Sequence, residues 1–152
     1  MDINRSFKQM KDEITNQNLQ NILFTYAVVN TNLDYCQGMN FIAGFLFLVT
    51  RDEGLSFQIM REVIQKNDMA ELFDTSTPSL KRKFYQLDRL ISICLPDLHA
   101  HFKEENVNSS FFSTSFFITL YTQVLQSQPD HKGMWKLERI WDYIIVVSKF
   151  LV

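Results

Sequence analysis

The chain has 152 residues, of which 46% are hydrophobic and 21% charged; that is enough apolar material for the core of one domain and excludes a disordered chain. Its formal net charge is -2, from 15 basic and 17 acidic residues, and Lys81-Arg82-Lys83 forms the one basic run, so nucleic acid is not an expected partner. Cys36 and Cys94 lie far apart and suggest no disulfide framework, which points to a reducing compartment.

The opening Met-Asp-Ile-Asn-Arg lacks the apolar core of a signal peptide. Leu19, Ile22, Leu23, Tyr26 and Ala27 recur at helical spacing and predict a helix near 16–30 with one buried stripe. Asn40 to Thr50 is apolar on every side, as in a helix enclosed by others. Its most apolar part, Phe41 to Val49, is nine residues long, well short of the ~20 that cross a bilayer. The protein therefore reads as soluble and cytoplasmic.

Leu55, Ile59, Met60, Val63 and Ile64 form the next stripe. Thr77-Pro78 predicts an N-cap followed by proline at the first helical position, where the missing N–H costs little. The helix it opens carries Leu80, Phe84, Leu87, Ile91 and Cys94 on one side, and Pro96 marks its end or a bend. Phe112, Phe116, Leu120 and Val124 step by four, with Phe117 and Tyr121 beside them. Met134, Leu137, Trp141 and Ile144 stripe a last helix, on which Trp141 reads as core rather than contact. With few prolines or glycines and no sustained alternation, the expected fold is all-α, a compact array of about six or seven helices. The 14 phenylalanines read as bulky core.

Several chemistries are excluded. There is no G-x-x-x-x-G-K-[ST] loop or G-x-G-x-x-G to cradle phosphates, so the chain is no nucleotide hydrolase of its own. His99 and His101, two apart, fall on different faces of a helix, and neither cysteine lies in a C-x-x-C, so no metal site is expected. A nucleophilic Cys36 lacks any base that the sequence supplies.

Two stretches remain, Asp2-Ile3-Asn4-Arg5-Ser6-Phe7 and Tyr35-Cys36-Gln37-Gly38-Met39-Asn40. Taken singly, the first is a ragged terminus with a surface arginine, and the second a loop that opens a helix. Together they resemble the paired signatures of the TBC domain, I-x-x-D-x-x-R-T and Y-x-Q-G-M-N. Asp2 and Arg5 match the first, with Ser6 where threonine is usual. Leu95-Pro96-Asp97-Leu98, His101-Phe102 and Val107 resemble a further segment of that family, and Arg139-Ile140-Trp141-Asp142 matches its R-I-W-D, so the resemblance covers nearly the whole chain in order.

The resemblance implies a single, partial TBC domain over residues 1–152 that activates a Rab-type GTPase in its GTP-bound form. Arg5 would be the arginine finger and Gln37 the glutamine finger, supplied in trans. Such a chain completes its partner's active site rather than turning over a substrate of its own. It has no cofactor, since Mg-GTP is carried by the partner, and it meets membranes only through that lipidated GTPase, at endomembranes. Asp2 would orient Arg5, or stand as a solvated terminal carboxylate. Tyr35 and Asn40 would hold the glutamine loop, although core or capping duty is equally consistent. Gly38 would let the backbone approach the partner closely.

Some positions depart from the family pattern. The isoleucine of the first signature is missing, the opening G-I-P segment and first helices would precede Met1, and the last helices would follow Val152, so a chain shortened at both ends is expected. Ser115-Phe116-Phe117 replaces the usual S-x-W-F, and Val147-Ser148 stands where a glycine is usual. The alternative reading is a TBC-like scaffold that grips a GTPase, or another protein, without accelerating it.

Overall fold

The computed structural model describes residues 7, 13–31, 33, 35–73, 78–126 and 132–147. They form helices and connecting turns with no strand among them, as the periodicity predicts. Asn16–Val29 makes α1. Thr15 caps it: its Oγ1 accepts from the Asn18 amide at 3.2 Å, while the Asn18 carboxamide accepts from the Thr15 amide at 3.0 Å. The helix ends at Asn30, whose amide and carboxamide both donate to the Tyr26 carbonyl at 3.0 Å. Leu19, Ile22, Leu23 and Tyr26 are buried as their spacing predicts, but Ala27 is exposed, so the stripe stops one residue earlier than expected.

The next helix, α2 (Met39–Thr50), is buried at every position from Met39 to Leu48. Such a helix survives only inside a shell of others, because each buried Leu, Ile or Phe contributes about 1.5–3 kcal/mol when removed from water. α1 and α3 (Glu53–Lys66) both pack on it. Asp52 caps α3 by accepting from the Leu55 amide at 2.6 Å. Glu53 then ties α3 to α1, its two oxygens accepting from Asn18 at 2.8 Å and Asn21 at 2.9 Å. Met60, Val63 and Ile64 of the expected stripe are buried, whereas Leu55 is exposed at the rim of a groove between α3 and the last helix.

After the short α4 (Met69–Phe73), α5 (Ser79–Cys94) packs on α6 (Pro96–Glu104) and α7 (Ser110–Ile118). Pro78 stands at the N-cap of α5, one residue before the first helical position expected for it, and Thr77 lies outside the described residues. Pro96 opens α6 at the position where a proline costs least, so the bend after α5 is a break between two helices. The α5 stripe is only half-buried, and Cys94 is exposed.

The run from Phe112 to Val124, which steps by four without a break in sequence, is split in the structure. α7 ends at Ile118, α8 (Thr122–Gln126) follows, and Leu120 and Tyr121 between them take φ of 48° and 65°. This corner is held by the Tyr121 amide donating to the Phe116 carbonyl at 3.0 Å and by the stacked rings of Phe116 and Tyr121, 5.3 Å apart. The last helix, α9 (Lys132–Val147), buries Leu137, Trp141 and Ile144, and the Trp141 ring lies 4.9 Å from that of Phe45 in α2. The described residues thus hold nine helices, against six or seven expected; α4 and α8 are single-turn pieces whose periodicity is too short to read.

Candidate functional site

The segment 35–38 delivers the chain to the head of α2. Its geometry is set by glycine: Gly38 is the N-cap residue with φ 117° and ψ -29°, a conformation that side-chain-bearing residues rarely adopt. Space enforces the same choice. A Cβ on Gly38 would stand 3.3 Å from the Thr119 methyl and 3.5 Å from Ile118, so the loop lies directly on the corner after α7.

Gly38 has no side chain with which to cap its helix, and no side chain caps α2; Asn40, inside the first turn, instead holds the loop that leads into it. Its carboxamide oxygen accepts from the Gly38 amide at 3.2 Å and from the Tyr35 hydroxyl at 3.5 Å. Asn40 is 1% exposed and Gly38 is buried, so the bond between them is walled off from water, while Tyr35 is half-buried. Two backbone bonds complete the turn: the Met39 amide donates to the Cys36 carbonyl at 3.2 Å, and the Phe41 amide to the Gly38 carbonyl at 3.0 Å. Met39 is buried as well.

Gln37, by contrast, stands exposed between the half-buried Cys36 and the buried Gly38. The loop is rigid on its inner side and offers one neutral carboxamide outward. Burial pushes the Cys36 thiol above its ordinary pKa, which leaves it protonated and a poor nucleophile at neutral pH. Among the described residues no group of three His, Cys, Asp or Glu side chains could hold a metal ion.

Of the six site residues expected from sequence, Tyr35, Gln37, Gly38 and Asn40 come together in this loop. Asp2 and Arg5 lie outside the described residues. The downstream motifs are scattered: Leu95, Leu98 and His101 are exposed, and Arg139 and Asp142 pair at 3.4 Å on the surface of α9. Trp141 alone of the R-I-W-D motif is fully buried, in accord with the core role expected for it.

The residues that sequence reasoning missed are the loop's supports. Thr119 and Ile118 floor Gly38, and Phe7, 3% exposed, packs on α2 from the other end of the chain. Spacing carries no trace of contacts between such distant positions; the one available signal was a lone bulky apolar residue at 7, directly before Lys8.

A glutamine displayed at the head of a buried helix can orient a water or a phosphate oxygen on another molecule. Against known proteins, the model of the Rab-GTPase-TBC domain matches residues 1–152. The chain belongs to that family.

Among its relatives, the "Ecotropic viral integration site 5 ortholog" of Drosophila melanogaster is 31% identical over 119 residues, covering 78% of this chain and 15% of the fly protein. "Growth hormone-regulated TBC protein 1" of Xenopus laevis is 31% identical over 139 residues, or 91% of this chain and 38% of the frog protein. The "Rab GTPase-activating protein eat-17" of Caenorhabditis elegans is 30% identical over 128 residues, or 82% of this chain and 14% of the worm protein. This TBC chain thus spans well under half of the length of each of these relatives. No solved structure matches it at a significant level. Among the described residues no helix is long and apolar enough to cross a membrane.

Proposed function

We propose that this TBC domain, residues 1–152 acting as one unit, accelerates GTP hydrolysis by a Rab-type GTPase in its GTP-bound form. The observation that carries the reading is the exposed Gln37 on a loop fixed from beneath by the buried Asn40 and by Gly38. Membership of the family supports it, as does the name of the worm relative, a Rab GTPase-activating protein.

In this reading Gln37 accepts from the attacking water and donates to the γ-phosphate while remaining neutral. Arg5 supplies an always-charged planar guanidinium to the negative charge that builds on the phosphate oxygens during transfer. Fixing the glutamine in advance matters, because a donor held ready costs no reorganisation when the charge develops. Asp2 orients Arg5, and Tyr35 supports the loop through Asn40. Magnesium and nucleotide belong to the partner. The domain works in the cytoplasm, in vesicle trafficking, and reaches endomembranes through the partner's lipid anchor.

The test is single-turnover phosphate release from a panel of GTP-loaded Rabs, with and without the chain in excess. Acceleration of at least one Rab is expected, falling by about 10³-fold or more in Arg5→Ala, as for other arginine fingers. Binding to a GTP-loaded Rab without any acceleration would overturn this reading in favour of a scaffold.

A further inference from the structure

A tight corner ends α7. Thr119 closes the helix, Leu120 follows at φ 48°, and the Tyr121 amide reaches back to the Phe116 carbonyl at 3.0 Å. That is the bond of a Schellman C-cap, and the stacked rings of Phe116 and Tyr121 supply the apolar contact that accompanies it. Glycine usually fills the left-handed position of such a cap. Here it is a buried leucine, which keeps that conformation only where its surroundings over-determine it.

Thr119 is fully buried, and its two branches have different partners. The hydroxyl donates to the Ser115 carbonyl at 2.5 Å and accepts from the Gln123 amide at 3.2 Å, so it joins the last turn of α7 to the first turn of α8. The two bonds together fix the side-chain rotamer. The methyl lies against the open side of Gly38, 3.3 Å from where a Cβ would stand. The corner itself needs only the hydroxyl. It does not call for a methyl turned toward a glycine in a distant loop.

We infer that Thr119 is a positioning residue: its methyl, aimed by the braced hydroxyl, sets where Gly38 rests and through it where Gln37 stands. The catalytic consequence rests on the activator reading above. Neighbouring Cα atoms are about 3.8 Å apart across a trans peptide, so a shift of Gly38 passes almost undiminished to Gln37. Asn40 holds the Gly38 amide from within α2, and Thr119 supports the same residue from the corner between α7 and α8. The loop is thus held between two elements, and only the exposed Gln37 faces outward from it. A wholly buried Thr119 touches no partner, so it acts through Gln37. A misplacement of about 1 Å at a catalytic group costs up to about 10²-fold in rate.

Two substitutions in the whole chain separate the branches. Thr119→Ser keeps the hydroxyl and removes the methyl, whereas Thr119→Val keeps a methyl and removes the hydroxyl. Both should lower the midpoint of urea unfolding, the first by emptying a methyl's space and the second by taking an acceptor from the Gln123 amide. Only serine should loosen the loop. Amide hydrogen exchange followed by NMR should quicken at Gly38 by about tenfold more than at Ile22 and Leu23 of α1, which report the overall loss of stability. With a Rab that the chain accelerates, Thr119→Ser should lower the saturating single-turnover rate by about tenfold and leave the half-saturating concentration unchanged. Thr119→Val should stay within about twofold of the unsubstituted chain in that rate, and its Gly38 exchange should quicken no more than that of α1. In a Gln37→Ala background, Thr119→Ser should cost less than about twofold further, because the group it positions is gone. Gly38 exchange that follows α1 in Thr119→Ser, or a Thr119→Val variant as loose and as slow as Thr119→Ser, would overturn the positioning role and leave Thr119 as core. A failure of the activator reading shows separately: the unsubstituted chain then accelerates no Rab, while exchange at Gly38 still decides whether Thr119 holds the loop.

Discussion

The amide of Gly38 donates to the carboxamide oxygen of Asn40 at 3.2 Å, and both residues are buried. Through this bond the first turn of α2 holds the loop that precedes it, so the exposed Gln37 inherits the rigidity of a helix it does not belong to. The same oxygen takes the Tyr35 hydroxyl, which closes the loop from its other side. A side chain at position 38 would have met Thr119 and Ile118 instead of capping the helix. With the loop's acceptor at Asn40, position 38 is left to the glycine that the backbone requires.

Asn40→Ala should therefore cost more than its size suggests. The Gly38 amide would remain buried with its acceptor gone, a penalty of about 1–3 kcal/mol. Urea denaturation reads the loss directly, and phosphate release should fall with it, because Gln37 loses its support. A midpoint equal to that of the unsubstituted chain would show that water or another group replaces the bond.

Gly38→Ala separates two costs at one position. The backbone term follows from φ 117° and amounts to about 1–3 kcal/mol. The contact term comes from the Thr119 methyl, 3.3 Å from the new Cβ. Thr119→Ser removes that methyl and should recover only the smaller part in the double variant. Full recovery would mean that contact, rather than conformation, selects glycine here.

The parts of this fold that were legible in sequence are those where one period runs uninterrupted. α2 announces itself because its residues are apolar on all sides, and α1 through four stripe positions that are indeed buried. The break between α7 and α8 was not legible, since Leu120 and Tyr121 are neither glycine nor proline and take left-handed backbone only under tertiary packing. The site was legible in a different way. Nothing in the periodicity distinguishes Gln37 from any loop glutamine, and only the family signature singles it out. Gly38 and Asn40 then gain a physical account from the geometry. The hydrogen bond from the Phe7 amide to the Gln126 carboxamide was invisible because the two residues lie 119 positions apart.

Trp141→Ala should be among the most damaging core substitutions. The ring is 2% exposed and packs against Phe45 of α2, so its loss leaves a large cavity and costs about 3–5 kcal/mol. Its indole N–H has no hydrogen-bond partner among the described residues, so Trp141→Phe gives up volume but no bond. Thermal denaturation should place Trp141→Phe between the unsubstituted chain and Trp141→Ala. Equal losses in the two variants would show that the indole nitrogen matters.

The two cysteines should differ in reactivity. Burial raises the Cys36 pKa, so at mildly alkaline pH less of it is thiolate than of an ordinary cysteine, while Cys94 is exposed. Iodoacetamide should modify Cys94 first, as peptide mass spectrometry would show. The sign for stability follows from the same shift. A group whose pKa is raised on folding stabilises fully below its unfolded pKa and loses that contribution as pH rises through the folded value. Cys36→Ala should thus remove part of the decline in stability seen above the ordinary thiol range, and an unaltered decline would rule Cys36 out as its source.

Gln37 should dissociate activity from stability. Its side chain is exposed, so Gln37→Ala and Gln37→Glu should shift the unfolding free energy by no more than about 0.5 kcal/mol. Both should lower the accelerated rate by about 10²-fold, the scale of losing one preorganised donor at a developing charge. The two substitutions then differ in a way that tests the mechanism. Glutamate has the size of glutamine and can still accept from water, but it cannot donate to the γ-phosphate, and its charge opposes the negative oxygens there. It should therefore do no better than alanine, and worse at low salt, where the repulsion is least screened. If Gln37→Glu instead kept most of the rate, acceptance from water would be the only task of this residue, and donation to the phosphate would have to come from elsewhere.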